Sequence, residues 1–242
     1  VQGRVSGPLS DNVRVLVSGI YDKQAKGYAV NLAANPGAAK TLDRGQYAGG
    51  RFALDIGDAK GLNAQLEAIY LDTKTVPVTE SISAPDVAYF LPFLGTQSFV
   101  PHRTYSEISP YTHSKYFQAS GTLNIPLSDH FELKSITAYQ TFKDEMLIDG
   151  DSSAAASVET LQNIDSNTFS QEFNLNGSNF DDRLKSIFGA FYYKDNYLGR
   201  SNTPFNVPGF AAVFATYSKI DAESYAFFTD QTFSVTDRFR LQ

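Results

Sequence analysis

Apolar and polar side chains alternate along much of this chain with a period of two residues. The alternation is clearest at residues 47–56, 62–72 and 114–126. Between residues 62 and 70, one face receives Leu62, Ala64, Leu66, Ala68 and Tyr70, and the other receives Asn63, Gln65 and Glu67. Because successive side chains of a β-strand point to opposite faces, this pattern predicts strands with one apolar and one polar face.

Further segments show weaker alternation, and the whole chain is predicted to contain about ten strands. Residues 184–193 and 224–235 are apolar or aromatic on both faces, so the pattern predicts strands there without orienting them. The other weak or short segments are residues 1–7, 13–22, 131–144, 168–177 and 239–242.

The connections between the predicted strands alternate between short and long. The short ones contain Gly, Pro, Asn or Asp, which suit tight turns, and lie at residues 7–12, 57–61, 126–130, 178–183 and 235–238. The long ones lie at residues 29–45, 75–113, 148–167 and 198–221. In an up-and-down sheet this order gathers the tight turns at one end and the long loops at the other, as in outer-membrane barrels and unlike soluble sandwiches. The predicted fold class is therefore all-β, an antiparallel up-and-down transmembrane β-barrel.

Aromatic residues concentrate near the strand ends that face the long loops. The chain contains 14 Tyr and 19 Phe, and the members of this group are Tyr21, Tyr28, Tyr70, Tyr139, Phe142, Tyr192, Tyr193 and Tyr197. Amphipathic rings are stable where lipid meets water, so the group predicts an aromatic girdle of a membrane barrel. The alternative is that aromatic residues favour strands in general.

Composition and charge exclude several classes of protein. The formal net charge is -6 and no basic cluster occurs, which argues against a nucleic-acid partner. The chain has no Cys, so it has no disulfide, zinc–thiolate site or thiol nucleophile. No run of ~18–20 apolar residues is present, which excludes a membrane-spanning helix.

Five groups of residues together suggest a family. They are residues 3–21, 133–139, 169–175 with 186–193, 224–231 and 233–238, which follow one another in the order of barrel hairpins. On these segments the chain resembles the β-barrel region of TonB-dependent receptors. The resemblance implies a 22-stranded barrel, closed by an N-terminal plug that has no counterpart in residues 1–242. All 242 residues are therefore expected to be one part of a single barrel domain, an internal fragment of about ten strands.

The resemblance also implies a function. It predicts a receptor in the outer membrane of a Gram-negative bacterium that binds and imports a scarce nutrient, such as an iron–siderophore complex, vitamin B12 or a glycan. Energy would come from the TonB system through the plug, and the barrel would contact membrane lipid and lipopolysaccharide. Two alternatives remain open: a passive porin, and a secreted β-sandwich adhesin or glycan-binding module.

The longest loop holds the candidate ligand contacts, and no constellation of catalytic residues is present, so an enzyme is not expected. The stretch from residue 85 to residue 95 is unusually aromatic for a solvent loop, and either packs on its neighbours or stacks against a siderophore or a sugar. The candidate contacts are Tyr89, Phe90, Phe93, His102, Arg103, Tyr105 and Tyr111.

No metal site or cofactor is predicted. His102 and His113 lie too far apart to indicate a metal site. A group of acidic residues begins another long loop: Asp144, Glu145, Asp149 and Asp151. Several carboxylates suit a hard cation such as Ca²⁺, but the regular spacing of a calcium loop is missing, so a solvated loop is expected instead.

Overall fold

The computed structural model describes residues 1–58, 61–77, 100–236 and 238–242. In this part of the chain thirteen β-strands are found and no helix, hence no helix that is long and apolar enough to span a membrane. The strands are β1 (Gln2–Ser10), β2 (Val13–Gln24), β3 (Ala29–Asn31), β4 (Thr41–Leu42), β5 (Arg44–Gly57), β6 (Asn63–Val76), β7 (Arg103–Thr104), β8 (Tyr111–Ser128), β9 (Phe131–Asp149), β10 (Glu159–Asn179), β11 (Leu184–Val207), β12 (Phe210–Thr236) and β13 (Phe239–Leu241).

Ten of these strands form one sheet in the order β1-β2-β5-β6-β8-β9-β10-β11-β12-β13. Every neighbouring pair is antiparallel, and each strand lies beside the next long strand of the chain. The predicted up-and-down meander is therefore confirmed. The sheet is open within the described residues, since β1 and β13 each pair with one neighbour only.

The five predicted tight connections, after β1, β5, β8, β10 and β12, lie at one end of the sheet, as predicted. Gly57 shows why glycine is needed there: its φ is 102°, and a Cβ would lie 2.1 Å from the carbonyl oxygen of Leu62. Any other residue here would have its Cβ in collision with the backbone and would also adopt an unfavourable positive φ.

At the other end, two predicted loops are shorter than expected. The prediction of a long loop at residues 198–221 is wrong, because β11 and β12 continue as a hairpin to a turn at residues 208–209. The loop predicted at residues 148–167 is reduced to residues 150–158 because β10 begins at Glu159. These strand extensions lack the apolar and polar contrast from which the other strands were recognised.

The sheet has an apolar face and a polar face, because directly opposed residues of neighbouring strands share a face. On the apolar face Val17 of β2 opposes Phe52 of β5, and on the polar face Ser18 opposes Arg51. Large side chains on the apolar face are exposed; Val17, for example, is 51% exposed and Leu66 is 46% exposed. Among the described residues no second long sheet covers this face, which disfavours the β-sandwich alternative.

The register places four of the eight predicted girdle residues on the apolar face. Tyr70 pairs with Phe117, Tyr139 with Phe169, and Tyr192 with Tyr225. These residues and Tyr21 all lie on the apolar face, near its loop end. By the same register, Phe142, Tyr193 and Tyr197 lie on the polar face, and Tyr28 lies in a connection. Adjacent residues such as Tyr192 and Tyr193 alternate faces, which a count of aromatic residues near strand ends does not consider.

A small second sheet lies among the long connections. Its order is β4-β3-β7, with β3 antiparallel to β4 and parallel to β7. The buried apolar residues of the described chain lie here: Ala29, Ala39 and the fully buried Leu42, with Val76 packed against them. The apolar core of this chain is therefore small and lies within the loops.

Candidate functional site

Three connections fold together at the loop end of the sheet. We call them the first loop (residues 25–43), the second loop (residues 100–110 of the connection between β6 and β8) and the third loop (residues 150–158). The β3–β7 pairing joins the first two, with Leu32 N–H donating to the Thr104 carbonyl at 2.8 Å. A contact of 3.5 Å from Asn35 Nδ2 to the Ala154 carbonyl joins the first loop to the third.

Asn31 of β3 is the central joint between the first and second loops. Its Nδ2 donates to the carbonyls of Ala39 at 2.9 Å and Ser106 at 2.8 Å. Its Oδ1 accepts from the backbone N–H groups of Ala33 at 3.0 Å and Ser106 at 2.9 Å. An asparagine amide has two donors and an oxygen with two lone pairs, so its full hydrogen-bonding capacity is used.

The third loop folds around two carboxylates. Asp149 Oδ1 accepts from the N–H of Asp151 at 3.2 Å and of Ser152 at 2.7 Å. Asp151 Oδ1 accepts from Ser153 N–H at 2.9 Å, and its Oδ2 accepts from the N–H of Val158 at 2.7 Å. Asp149 is 3% exposed and Asp151 is 7% exposed. The two carboxylates thus accept hydrogen bonds from the backbone N–H groups of this short loop.

Glu107 of the second loop completes a cluster of three carboxylates. One oxygen atom of Glu107, Asp149 and Asp151 each lies within 4.8 Å of the other two. Glu107 is 8% exposed, and both of its carboxylate oxygens are buried without a hydrogen-bond partner from another described residue. We call these three residues the carboxylate cluster.

No cationic side chain balances the carboxylate cluster in the described part of the chain, where none of the ion pairs includes its members. The pKa of the Glu107 carboxyl is raised from 4.5 to about 8, first by burial. The backbone N–H of Glu107 opposes this rise, and the negative charges of Asp149, Asp151 and Glu159 add to it. The cluster therefore attracts either a proton or a cation.

The expectation of a solvated acidic loop is wrong for most of the group. Asp144, Asp149 and Asp151 are buried, and Glu145 alone of the four is exposed. Asp144 accepts a hydrogen bond from the Ser114 hydroxyl on the neighbouring strand at 2.5 Å.

Sequence reasoning did not connect Glu107 with this group. The β8–β9 pairing ends where Tyr111 opposes Leu147, and Glu107 and Asp151 both lie beyond that last pair. Glu107 is more than 40 residues from Asp149 along the chain, so no spacing rule brings the two together.

The predicted ligand contacts are placed in part. Tyr89, Phe90 and Phe93 lie outside the described residues. His102 and Arg103 are exposed in the second loop, where the His102 carbonyl accepts from Val30 N–H at 3.1 Å and Arg103 pairs with Val30 as part of β7. Tyr105 and Tyr111 are half-buried, one beside the carboxylate cluster in sequence and the other at the start of β8. These four stay predictions as ligand contacts.

The polar face of the sheet carries paired charges. Arg51 Nη2 lies 2.7 Å from Glu67 Oε2, and Arg14 opposes Asp55 across β2 and β5. These side chains line an open cleft of about 620 Å³, together with Arg4 and several hydroxyl groups. Such a face suits a wet interior or a polar partner rather than lipid.

Comparison with known proteins adds the fold. No protein-family model matches the chain, and no curated protein matches its sequence. Solved structures do match. The ferric yersiniabactin uptake receptor FyuA from Yersinia pestis gives a TM-score of 0.68 at 16% identity, over 99% of this chain and 34% of that one.

Two further receptors are similar to the same extent. The siderophore receptor PiuA from Acinetobacter baumannii gives a TM-score of 0.66 at 15% identity, over 97% of this chain and 38% of that one. The open form of the ferric-catecholate import receptor Fiu from E. coli K12 gives 0.64 at 11% identity, over 99% of this chain and 40% of that one.

These likenesses show the fold, which is that of the barrel region of TonB-dependent receptors, as the sequence predicted. The chain spans between 34% and 40% of the length of these receptors. The three are named as an uptake receptor, a siderophore receptor and an import receptor, and none is named for a catalysed reaction, in agreement with the expectation that the chain is not an enzyme.

Proposed function

We propose that this chain supplies neighbouring strands to the barrel of an outer-membrane receptor that binds a scarce nutrient and imports it. The observation that carries the proposal is the open meander with an uncovered apolar face, tight turns at one end and packed loops at the other. The three similar structures are receptors for ferric yersiniabactin, a siderophore and ferric catecholates, which favours an iron–siderophore complex as the nutrient. Vitamin B12 and glycans are the other ligands considered.

The apolar face would lie against lipid. On β2 it runs from Val13 to Tyr21, nine residues, and a tilted strand crosses a bilayer in ~9–11 residues. The aromatic side chains near its loop end would then lie at the interface between lipid and water. The cell outer membrane of a Gram-negative bacterium is the membrane in which such barrels occur.

Lysines lie beyond the aromatic residues on the same face. Lys23 and Lys74 share one row across β2, β5 and β6, and Lys115 directly opposes Lys143. All four are exposed, and Lys143 also lies 3.4 Å from Asp165. Ammonium groups just outside the lipid layer suit the phosphates of lipopolysaccharide, which is the lipid partner that we assign to this surface.

The polar face would line the interior, where a plug domain would sit. Arg4, Arg14, Asp55 and the Arg51–Glu67 pair offer hydrogen bonds to such a domain. Coupling to the TonB system would run through that plug. The resemblance of residues 1–242 is to the barrel region alone. Import driven by TonB is therefore a proposal about the whole receptor.

Uptake and binding by the full-length protein test the proposal. We expect the protein to fractionate with the outer membrane and to bind ferric siderophores with a Kd of about 1 μM or below, measured by quenching of intrinsic tyrosine fluorescence. Radioactive iron uptake by cells should require both the receptor and an intact TonB system. Ion conductance in planar bilayers without any ligand binding would instead identify a porin.

A further inference from the structure

The carboxylate cluster has the geometry of a cation site. Calcium binds oxygen ligands at about 2.3–2.6 Å, so two ligands of one ion are separated by at most about 5 Å. One oxygen from Glu107, Asp149 and Asp151 each lies within 4.8 Å of the others, which satisfies this limit for all three pairs. Side chains from the second loop, the end of β9 and the third loop thus converge on one point.

Glu107 supplies the independent indication of a ligand. It is more than nine-tenths buried, and both carboxylate oxygens lack a hydrogen-bond donor from another described residue. A buried carboxylate whose oxygens receive no hydrogen bond from a neighbouring residue is disfavoured, because burial has removed its water without an equivalent replacement. Asp151, by contrast, binds the backbone of the third loop, so Glu107 has no comparable structural task.

We propose that Glu107, Asp149 and Asp151 bind one Ca²⁺ ion, and that this ion fastens the second loop to the third. The donors are all carboxylate oxygens, which hard cations prefer. No histidine belongs to the cluster within the described residues, which disfavours zinc and other transition metals.

The ion would perform a mechanical task in the loops. Without it, the negative charges of Asp149, Asp151 and Glu159 disfavour ionisation of Glu107 at the junction of the second and third loops. With it, the carboxylates of Glu107, Asp149 and Asp151 become ligands of one centre. The site extends the proposed function, because calcium is available to loops that face the outside of a cell, but it does not depend on which nutrient is bound.

Calcium titration of the full-length protein in detergent tests this site without any nutrient ligand. After removal of metal with EDTA, we expect the wild type to bind calcium with a Kd of about 10⁻⁴–10⁻³ M, as extracellular calcium modules do. The readouts are isothermal titration calorimetry and terbium luminescence sensitised by tyrosine. Magnesium should bind more weakly, because it requires a stricter octahedral arrangement.

Glu107→Gln is the decisive variant. It keeps the size of the side chain and breaks no hydrogen bond to another described residue, so the loops should still fold. We expect calcium affinity at this site to fall at least tenfold. Glu145→Gln is the matched control, since Glu145 is an exposed acid at the same end of β9, and it should bind calcium as the wild type does.

Hydrogen exchange separates this site from calcium that is bound elsewhere, for example by co-purified lipopolysaccharide. Calcium should slow exchange at residues 150–158 at least tenfold in the wild type and in Glu145→Gln, but not in Glu107→Gln. A wild type whose third loop ignores calcium, or a Glu107→Gln variant that responds as the wild type does, would overturn the proposal. Failure to bind siderophores would leave these results untouched, so the two proposals can fail separately.

Discussion

At the scale of single residues, the buried side chains of the described residues are more often polar than apolar. The buried side chains include Asp149, Asp151, Thr104, Ser106 and Ser153, whereas the buried apolar cluster has three members. A sheet that exposes its apolar face has no interior of its own. Its loops are therefore held by hydrogen bonds, which give direction as well as stability.

Asn31 tests this dependence on hydrogen bonds. Replacing Asn31 by Ala removes all four of its side-chain hydrogen bonds and leaves the backbone groups of Ser106 without their partners. We expect a local loss of about 1–3 kcal/mol in the opening free energy of the first and second loops, measured by hydrogen exchange. The thermal unfolding of the barrel should hardly change.

Asn35→Ala is the matched control for that experiment. Its amide makes one 3.5 Å contact, with the carbonyl of Ala154, so its loss should cost less than about 0.5 kcal/mol. Equal effects of the two substitutions would show that Asn31 is not the joint between the loops.

The pKa of Glu107 predicts how the loops respond to pH when calcium is absent. The folded protein holds a proton on Glu107 up to about pH 8, whereas the unfolded chain releases it near pH 4.5. The folded state therefore binds more protons between these values, and its stability falls as pH rises through that window. Asp149, Asp151 and Glu159 face the group and make the charged form unfavourable.

We expect the third loop of the wild type in EDTA to exchange faster relative to Glu107→Gln as pH rises from 6 to 9. Comparing the two proteins at each pH cancels the intrinsic pH dependence of exchange. A constant ratio across this range would contradict the raised pKa of Glu107.

At the scale of elements, the strands and turns could be predicted where one face of a strand is apolar and the other polar. Segments such as residues 62–72 alternate because one face is apolar and the other polar, and the turn residues mark their ends. Residues 198–207 of β11 and 210–221 of β12 show no such alternation, so the sequence predicts a long loop where the strands continue. Lengths of 24 and 27 residues follow from mutual pairing, which a single sequence does not display.

Gly57 gives a prediction at this scale. Gly57→Ala introduces a Cβ that overlaps the Leu62 carbonyl and forces a positive φ on alanine, which should destabilise the β5–β6 turn by about 1–3 kcal/mol. Urea unfolding of the full-length protein in lipid vesicles measures this cost. Gly3→Ala is the control, because no atom lies within 4 Å of its added Cβ. Equal unfolding free energies for both variants would refute the turn geometry.

At the scale of the whole molecule, the sheet carries a clear distinction between its two faces. The fold class could be predicted because the two faces and the alternation of short and long connections both follow from patterns within short stretches of sequence. The carboxylate cluster could not, since Glu107 is more than 40 residues from Asp149 along the chain and meets it only in the folded loops. The register was also needed to assign each aromatic residue to the apolar or the polar face, as for Tyr192 and Tyr193.

Two adjacent residues of β6 test which face meets lipid. Leu66→Arg places a charge on the apolar face, where the cost is about 2–4 kcal/mol near the middle of a bilayer. Gln65→Arg places the same charge on the polar face, directly opposite Asp55, where little cost is expected. Unfolding in lipid vesicles and the yield in the outer membrane should distinguish them. A larger loss for Gln65→Arg would reverse the assignment of the faces.

The contacts among the outer connections also continue beyond the three loops. Val158 bridges to Phe205 of β11, and the Asn206 N–H donates to the Ser157 carbonyl at 2.7 Å, so the third loop is tied to the β11–β12 hairpin. Together with Asn31 and Asn35, these contacts connect the described parts of the loops from β3 to β12. In the receptor proposed above, a solute would therefore meet loops that are bonded to one another, and displacing one of them would strain the contacts of its neighbours.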